Sequence, residues 1–393
     1  MEELPRVLAV SALPPWPLHN GYRLRVWELL RELAPRFPVA LLAPPPEASV
    51  DLFHELGISH YSPLPVQDEQ VSYVATGRRA EADVRESLAA AVAEQRPDVL
   101  LLWAGTEFAA LGHPDWPPVV VDRIDCAALT YWRALGRTRG VLAGAGDFWA
   151  ASCYERKLAR HFNTLVVVAE DDAAMLRRLA PRARVRVIPN GVRLPEIAAG
   201  DHETPFPTVT FTGVLSYAPN IDAVLYFARA VWPRVREQMP QAEFVIAGRQ
   251  PVPEIMRLAD EPGICVYPDA SSMAELLTQT WIAVAPMRIG AGIKNKVLEA
   301  WAHAKPVVLS RLAARGFQRG EYLESLIAQD TAALVECVLD LLRSNARRHE
   351  LGRRCRELAT QWHNWPRFGE RMAELLRATW RLRLLSARGN FSE

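Results

Sequence analysis

Hydrophobic positions in this 393-residue chain fall into short continuous runs separated by amphipathic stretches. Runs at Val7–Ser11, Val39–Leu42, Val99–Leu102, Val119–Val121, Leu165–Ala169 and Val185–Ile188 have the length of strands, and Tyr22–Arg36, Ala80–Gln95, Phe148–Phe162 and Asp171–Leu179 repeat apolar residues at a helical period. Strands apolar on both faces and alternating with helices predict a parallel sheet covered on both sides. The pattern pauses over Gly191–Pro207, where Pro195, Gly200, Asp201, Pro205 and Pro207 predict a linker. It restarts with strands at Thr208–Thr212, Phe244–Ala247, Ile264–Tyr267, Ile282–Pro286 and Val307–Ser310, separated by helices at Asn220–Glu237, Ser272–Thr280 and Lys296–Ala304. Thr331–Trp362 and Pro366–Leu385 read as closing helices. The expectation is α/β: two Rossmann-like, doubly wound parallel-sheet domains facing across a cleft, where ligands bind beyond the carboxyl ends of the strands. The predicted boundaries are 1–190 for the first domain, 191–207 for the linker, 208–362 for the second, and 363–393 for a helix crossing back to the first.

Length agrees with two domains at roughly 100–200 residues each. Forty-six basic against 45 acidic residues exclude a strongly basic nucleic-acid binder, and 50% hydrophobic content excludes a disordered chain. Five widely spaced cysteines without a Cys-x-x-Cys fit buried thiols in a reducing compartment. The first residues are acidic where a signal peptide would be basic, and no apolar run reaches the roughly 18–20 residues of a membrane span. The expected setting is cytoplasmic. Only Lys157, Lys294, Lys296 and Lys305 are lysines, so arginine is the default cation and two lysines within three residues stand out.

Those two lie in Val284–Ser310, VAPMRIGAGIKNKVLEAWAHAKPVVLS, which reads strand, glycine-rich loop, helix, strand. Gly290 and Gly292 permit close backbone approach, and a helix starting near Lys294 turns its free N–H groups toward the loop. Arg288, Lys294 and Lys296 add charge suited to a diphosphate. Glu299 is the only charge between Val297 and Ala304. It has two readings: a carboxylate accepting ribose hydroxyls, or a surface pair with Lys296 or Asn295 one turn back.

The segment resembles the donor-binding loop and helix of glycosyltransferase family 4, retaining enzymes of the GT-B fold, in its bacterial form Pro-x-Arg-x-Gly-x-Gly-x-x-x-Lys-x-Leu-Glu-Ala. Pro286, Arg288, Gly290, Gly292, Lys296, Leu298, Glu299 and Ala300 match. IPNGV at Ile188–Val192, VTFTGVLSYAPNIDAVLYF at Val209–Phe227 and FVIAG at Phe244–Gly248 follow in the family's order. The resemblance implies that Glu299 holds the nucleotide ribose and that Gly213, Tyr217, Asn220, Arg288, Gly290, Ala291, Gly292, Ile293, Lys294, Asn295 and Lys296 contact the donor. The family's first Glu is replaced by Ala291, and Gly213–Asn220 lacks the Arg and Lys that many members carry there. The diphosphate would then depend on Arg288, Lys294 and Lys296, with Arg288 and Lys294 assisting catalysis.

In the first domain, VSALPPWPLHNGYRLR at Val10–Arg25 resembles the family's opening strand and loop. Gly21 is a donor-approach glycine or a plain turn glycine, and His19, Arg23 and Arg25 are polar neighbours. Asp125, just beyond the strand ending in VVVDRID, orients the sugar or acceptor, or caps the helix that begins near Ala127. Asp122 is read as structural. Asp171-Asp172 and Asp201-His202-Glu203 are read as a helix start and linker, no Asp-x-Asp occurs, and neither a metal nor another cofactor is expected.

The function so implied is transfer of a sugar from a nucleoside-diphosphate sugar to a small-molecule, glycan or lipid-linked acceptor. Its rivals are a sugar-nucleotide epimerase, a NAD-dependent oxidoreductase, disfavoured because no Gly-x-Gly-x-x-Gly follows a predicted strand, and a non-catalytic relative. Arginines at Arg343, Arg347, Arg348, Arg353, Arg354 and Arg356, and again from Arg377 to Arg388, suggest peripheral contact with the inner face of a membrane, or solvated helix faces.

Overall fold

The computed structural model describes residues 4–65, 78–113, 115–137, 141–162, 164–196, 203–270, 272–317 and 321–389. These form two compact units. The first takes the described residues up to Trp132, Ala145–Pro189 and those from Trp365 onward, and the second takes those of Arg133–Gly144 and Asn190–Asn364.

The first unit carries seven parallel strands: β1 (Val7–Val10), β2 (Val39–Ala43), β3 (His60–Pro63), β4 (Val99–Trp103), β5 (Val119–Ile124), β6 (Thr164–Val167) and β7 (Arg184–Val187). Their order is β3-β2-β1-β4-β5-β6-β7, so the winding reverses between β1 and β4. Val7 lies between Val39 and Val99 in register, and β1, β2 and β4 are buried along their whole lengths, as both-face coverage requires. β3 reads HYSP, is half-buried at the sheet edge, and has no apolar pattern from which to predict it.

The Gly21–Leu33 helix begins behind Asn20, whose side chain accepts the Arg23 N–H at 2.9 Å. It packs against the last helix, Trp365–Gly389, and a Cβ on Gly369 would stand 2.3 Å from that of Glu32. Only glycine permits so close a crossing.

The second unit holds β8 (Thr208–Thr212), β9 (Glu243–Gly248), β10 (Ile264–Pro268), β11 (Ile282–Ala285), β12 (Val307–Ser310) and β13 (Ile327–Ala328) in the order β10-β9-β8-β11-β12-β13. Here the winding reverses between β8 and β11. The helix expected over Asn220–Glu237 starts at Ala218 and contains a π-helical turn at Phe227–Val231. Pro233 follows, lacks an N–H for the α-helical ladder, and the wider turn absorbs that break. The single element expected over Thr331–Trp362 is two helices, Thr331–Arg343 and Asn345–Trp362. Ser344 separates them, its hydroxyl accepting the Arg347 N–H at 3.3 Å.

The described parts of the expected linker, 191–196 and 203–207, contain neither helix nor strand. Gly200, Asp201 and His202 lie outside the described residues.

Candidate functional site

Two loops flank the β8–β11 reversal. Gly213, directly after β8, has φ +150°, and a Cβ there would come within 2.8 Å of Asn220 Nδ2 and 3.0 Å of Lys296 Nζ. Asn220 lies buried in the first turn of the Ala218–Tyr226 helix. Its Nδ2 donates to the Val214 carbonyl at 2.8 Å, which turns Oδ1 toward Lys296 to accept from Nζ at 2.8 Å. The ammonium also sits 3.6 Å from the centroid of the Phe211 ring, on β8. Burial pushes the Lys296 ammonium well below the usual lysine range, with Lys294 adding to the effect and Glu299 opposing it.

The loop after β11 is shaped by Gly290 at φ +111° and Gly292 at φ +66°, left-handed conformations that favour glycine. Lys294 precedes the Asn295–Ala302 helix, and its ammonium folds back to donate to the Ala291 carbonyl at 2.5 Å and the Gly292 carbonyl at 2.8 Å. No side chain caps this helix through Lys294, so its amino end presents N–H groups and positive dipole. Ala291 and Ile293 are buried within the loop, and Asn295 accepts from Asn190 Nδ2 at 2.9 Å. Tyr217 is 46% exposed at the residue before its helix.

Two site residues have surroundings that the sequence left open. Arg288, expected to serve the diphosphate, has a carboxylate partner. Nε and Nη2 bond the two Asp222 oxygens at 3.0 and 2.5 Å, and the guanidinium stacks on Tyr226 with 4.4 Å to the ring centroid. Glu299 does not pair with Lys296 or Asn295, whose side chains are bonded to Asn220 and Asn190 instead. Among the described residues its carboxylate has no hydrogen-bond or ion-pair partner. Burial pushes that carboxyl up, and Lys296 partly offsets this.

In the first unit, Asp125 is half-buried one residue beyond β5, where Ile124 at φ +65° turns the chain. Its neighbours at the strand end form fixed buried pairs. Arg25 Nε meets Asp122 at 2.7 Å, while Arg123 bridges Glu107 and Glu155. Gly21 opens its helix, and His19 and Arg23 approach Glu47 at 3.6 and 3.0 Å. Among the described residues no group of three or more His, Cys, Asp or Glu is placed to hold a metal ion. Asp172 instead accepts the Cys126 N–H at 2.8 Å, and Glu203 pairs with Arg348 and Lys305.

Residues 20–191 match the domain family described as glycosyl transferase 4-like domain, and residues 206–344 match glycosyl transferases group 1. Together the two matches take in every strand of the two sheets except β1 and every residue of the two loops. This chain is a glycosyltransferase of the family 4, GT-B type. None of the curated proteins matches it closely enough to count as a relative. Among solved structures it resembles sucrose-phosphate synthase from Thermosynechococcus elongatus at 17% identity and TM-score 0.74, over 96% of this chain and 100% of that one. Anabaena HepE, solved in complex with UDP-glucose, aligns at 13% identity and TM-score 0.67 over 95% and 100%. WaaG, a glycosyltransferase involved in lipopolysaccharide biosynthesis, aligns at 12% and 0.65 over 94% and 99%. Likeness at these identities establishes the GT-B fold.

Reading the glycosyltransferase from its sequence missed Asp222, Tyr226 and Phe211. Asp222 was detectable, because it is the only charge in Ala218–Tyr226 and an acid in so apolar a helix calls for a partner. Phe211 was not, since nothing along the chain says which side of β8 would receive a lysine from another helix.

Proposed function

We propose that this glycosyltransferase moves a sugar from a nucleoside-diphosphate sugar to a hydroxyl acceptor with retention of anomeric configuration and without a metal ion. One juxtaposition carries the reading. Lys296 and Glu299 lie one turn apart on the helix that starts at the glycine loop, the first bringing an ammonium to the reversal point and the second a carboxylate with no hydrogen-bond or ion-pair partner among the described residues. An ammonium and a helix amino end suit a diphosphate, and a carboxylate suits two ribose hydroxyls. The UDP-glucose bound by the HepE neighbour supports the same donor class.

The second unit then binds the donor, and Asp125 in the first orients the acceptor hydroxyl. The acceptor oxygen attacks the anomeric carbon from the face the diphosphate leaves, the carbon–oxygen bond to phosphate breaks, and a departing phosphate oxygen takes the acceptor proton. Preorganised positive charge from Lys294, Lys296 and the helix end stabilises the leaving diphosphate, with Arg288 and Asp222 anchoring the loop.

The test is incubation with a panel of nucleotide sugars and simple glycoside and lipid-linked acceptors, with and without EDTA, following nucleotide release. Release from one donor, unaffected by EDTA, with a product of unchanged anomeric configuration by NMR, is expected. Nucleotide binding without turnover on any acceptor would mean a non-catalytic relative.

Contact with an anionic membrane surface is proposed only for the end of the last helix. The arginines on Thr331–Arg343 and Asn345–Trp362 are otherwise engaged: Arg343 with Gln238, Arg347 with Asp340, Arg353 and Arg354 with Glu350, Arg356 with backbone carbonyls, and Arg348 buried against Glu203. Leu382, Leu384 and Leu385 are exposed beside Arg381 and Arg383, an arrangement that suits a lipid interface. No helix among the described residues is long and apolar enough to cross a membrane. Flotation with anionic liposomes, weakened by salt and by Leu382→Ser with Leu385→Ser, checks this; flotation unaltered in that variant refutes it.

A further inference from the structure

We propose that Asn220 is a positioning residue: its amide oxygen sets the Lys296 ammonium at the β8–β11 reversal as the principal cation for the donor's diphosphate. This replaces basic side chains that the Gly213–Asn220 loop does not carry. The inference rests on the donor reading above.

Three cations surround the glycine loop, and the structure distinguishes them by their partners. Arg288 is held by a carboxylate in a two-bond fork, so its charge is spent locally. Lys294 donates to two carbonyls of its own loop, which fixes the loop's shape. Lys296 has an uncharged amide oxygen and the face of Phe211, and no carboxylate within ion-pair distance among the described residues. An ammonium has three N–H donors. One goes to Asn220 and the ring covers another side, which leaves a donor for a phosphate oxygen.

The amide's orientation is determined, because its NH2 is committed to the Val214 carbonyl at 2.8 Å. The oxygen must therefore face the lysine. An aspartate in this place would accept from Lys296 equally well but would cancel its charge before any ligand arrived. An amide holds the ammonium and leaves the charge intact. Gly213 completes the arrangement, since any Cβ would reach to 3.0 Å from Nζ and obstruct that side. The titratable groups acting on Lys296 are Glu299 and Lys294, both on its own segment.

The test compares wild type with Asn220→Asp, Asn220→Leu and Lys296→Met. Affinities for uridine, guanosine and adenosine diphosphates are measured by calorimetry between pH 6 and 10, and the parent nucleosides by saturation-transfer NMR. Lys296→Met should weaken the bound diphosphate by roughly 10-fold or more and leave its nucleoside unaffected. Both Asn220 variants should weaken it by a similar factor, through opposite changes at the lysine. Leu removes the acceptor, so affinity should fall away at lower pH than in wild type. Asp adds an ion-pair partner, so the alkaline decline should move to higher pH.

If both Asn220 variants lose affinity with no displacement of the alkaline limb, or lose nucleoside and diphosphate alike, Asn220 merely shapes the loop through Val214 and the proposal is wrong. If wild type binds no diphosphate at any pH, the donor reading itself fails. If wild type binds but Lys296→Met binds equally well, the donor reading stands and this one falls.

Discussion

Replacing Glu299 by Gln keeps the size of the side chain and removes its charge, at a position where no described residue bonds or pairs with the carboxylate. Were Glu299 part of the fold, the change would break a bond and lower stability. The surroundings give the opposite expectation. Its helix neighbours Val297, Leu298, Ala300 and Trp301 are buried, and burial raises the Glu299 carboxyl's pKa. A carboxyl raised in the folded state destabilises the fold at neutral pH, and that penalty disappears as pH falls through the folded value toward the unfolded one. Glu299→Gln should therefore melt at the same temperature as wild type or slightly higher near pH 7.5, with the difference closing in acid.

Donor binding should change in the other direction. Two ribose hydroxyls bonded to a charged acceptor are worth about 1.5–3 kcal/mol, so affinity for the nucleoside diphosphate should fall roughly 10- to 150-fold. Wild-type affinity should also decline in acid as Glu299 is protonated, and the Gln variant should lack that limb. Calorimetric titration and thermal melting on the same preparations read both quantities. Unchanged affinity together with a lower melting temperature would return Glu299 to a structural role and remove the ribose assignment.

Asp222→Asn should raise the donor KM several-fold with little change in melting temperature, because the glycine loop loses its anchor at Arg288; a lower KM would mean that Asp222 restrains a direct diphosphate ligand. Gly248→Ala should destabilise the second unit by at least about 1–3 kcal/mol in chemical denaturation, since the new Cβ would lie 1.7 Å from the Gly213 carbonyl oxygen and force β8 and β9 apart at their ends. Arg348→Met should cost about 1.5–3 kcal/mol, because the Glu203 carboxylate loses its shortest charged partner and keeps Lys305 at 3.3 Å; a loss under about 0.5 kcal/mol would show that Lys305 alone satisfies it.

The strands legible in the sequence are those apolar on both faces, such as β1, β4 and β12, because a doubly covered strand leaves no polar alternation to confuse with loop or helix. β3 and β13 escaped for separate reasons: one is a half-polar edge strand and the other only two residues long. The site was legible where composition was anomalous. Two lysines in an arginine-rich chain and one carboxylate in an apolar helix both stood out. What the sequence could not supply was pairing across distance. Lys296 finds its acceptor 76 residues away, and Arg288 its carboxylate 66 residues away. The arginines of Asn345–Trp362 differ, since Arg353 and Arg354 have Glu350 three and four residues away, a helical spacing that the sequence itself offers.

The last helix belongs to the unit in which the chain begins, and this sets an order on the protein's synthesis. Trp365, Phe368, Met372, Ala373 and Leu376 are buried, and the helix that bears them crosses Gly21–Leu33 closely enough to require Gly369. A ribosome working at about 5–20 residues per second needs roughly 10–40 s to travel from Pro189 to Leu376. Throughout that interval the seven-stranded unit lacks one of its layers, while the six-stranded unit is emerging and can complete its own core. The nascent first unit thus exposes the apolar surface that these residues later cover, and truncations before Trp365 should leave folded second units attached to aggregation-prone first ones.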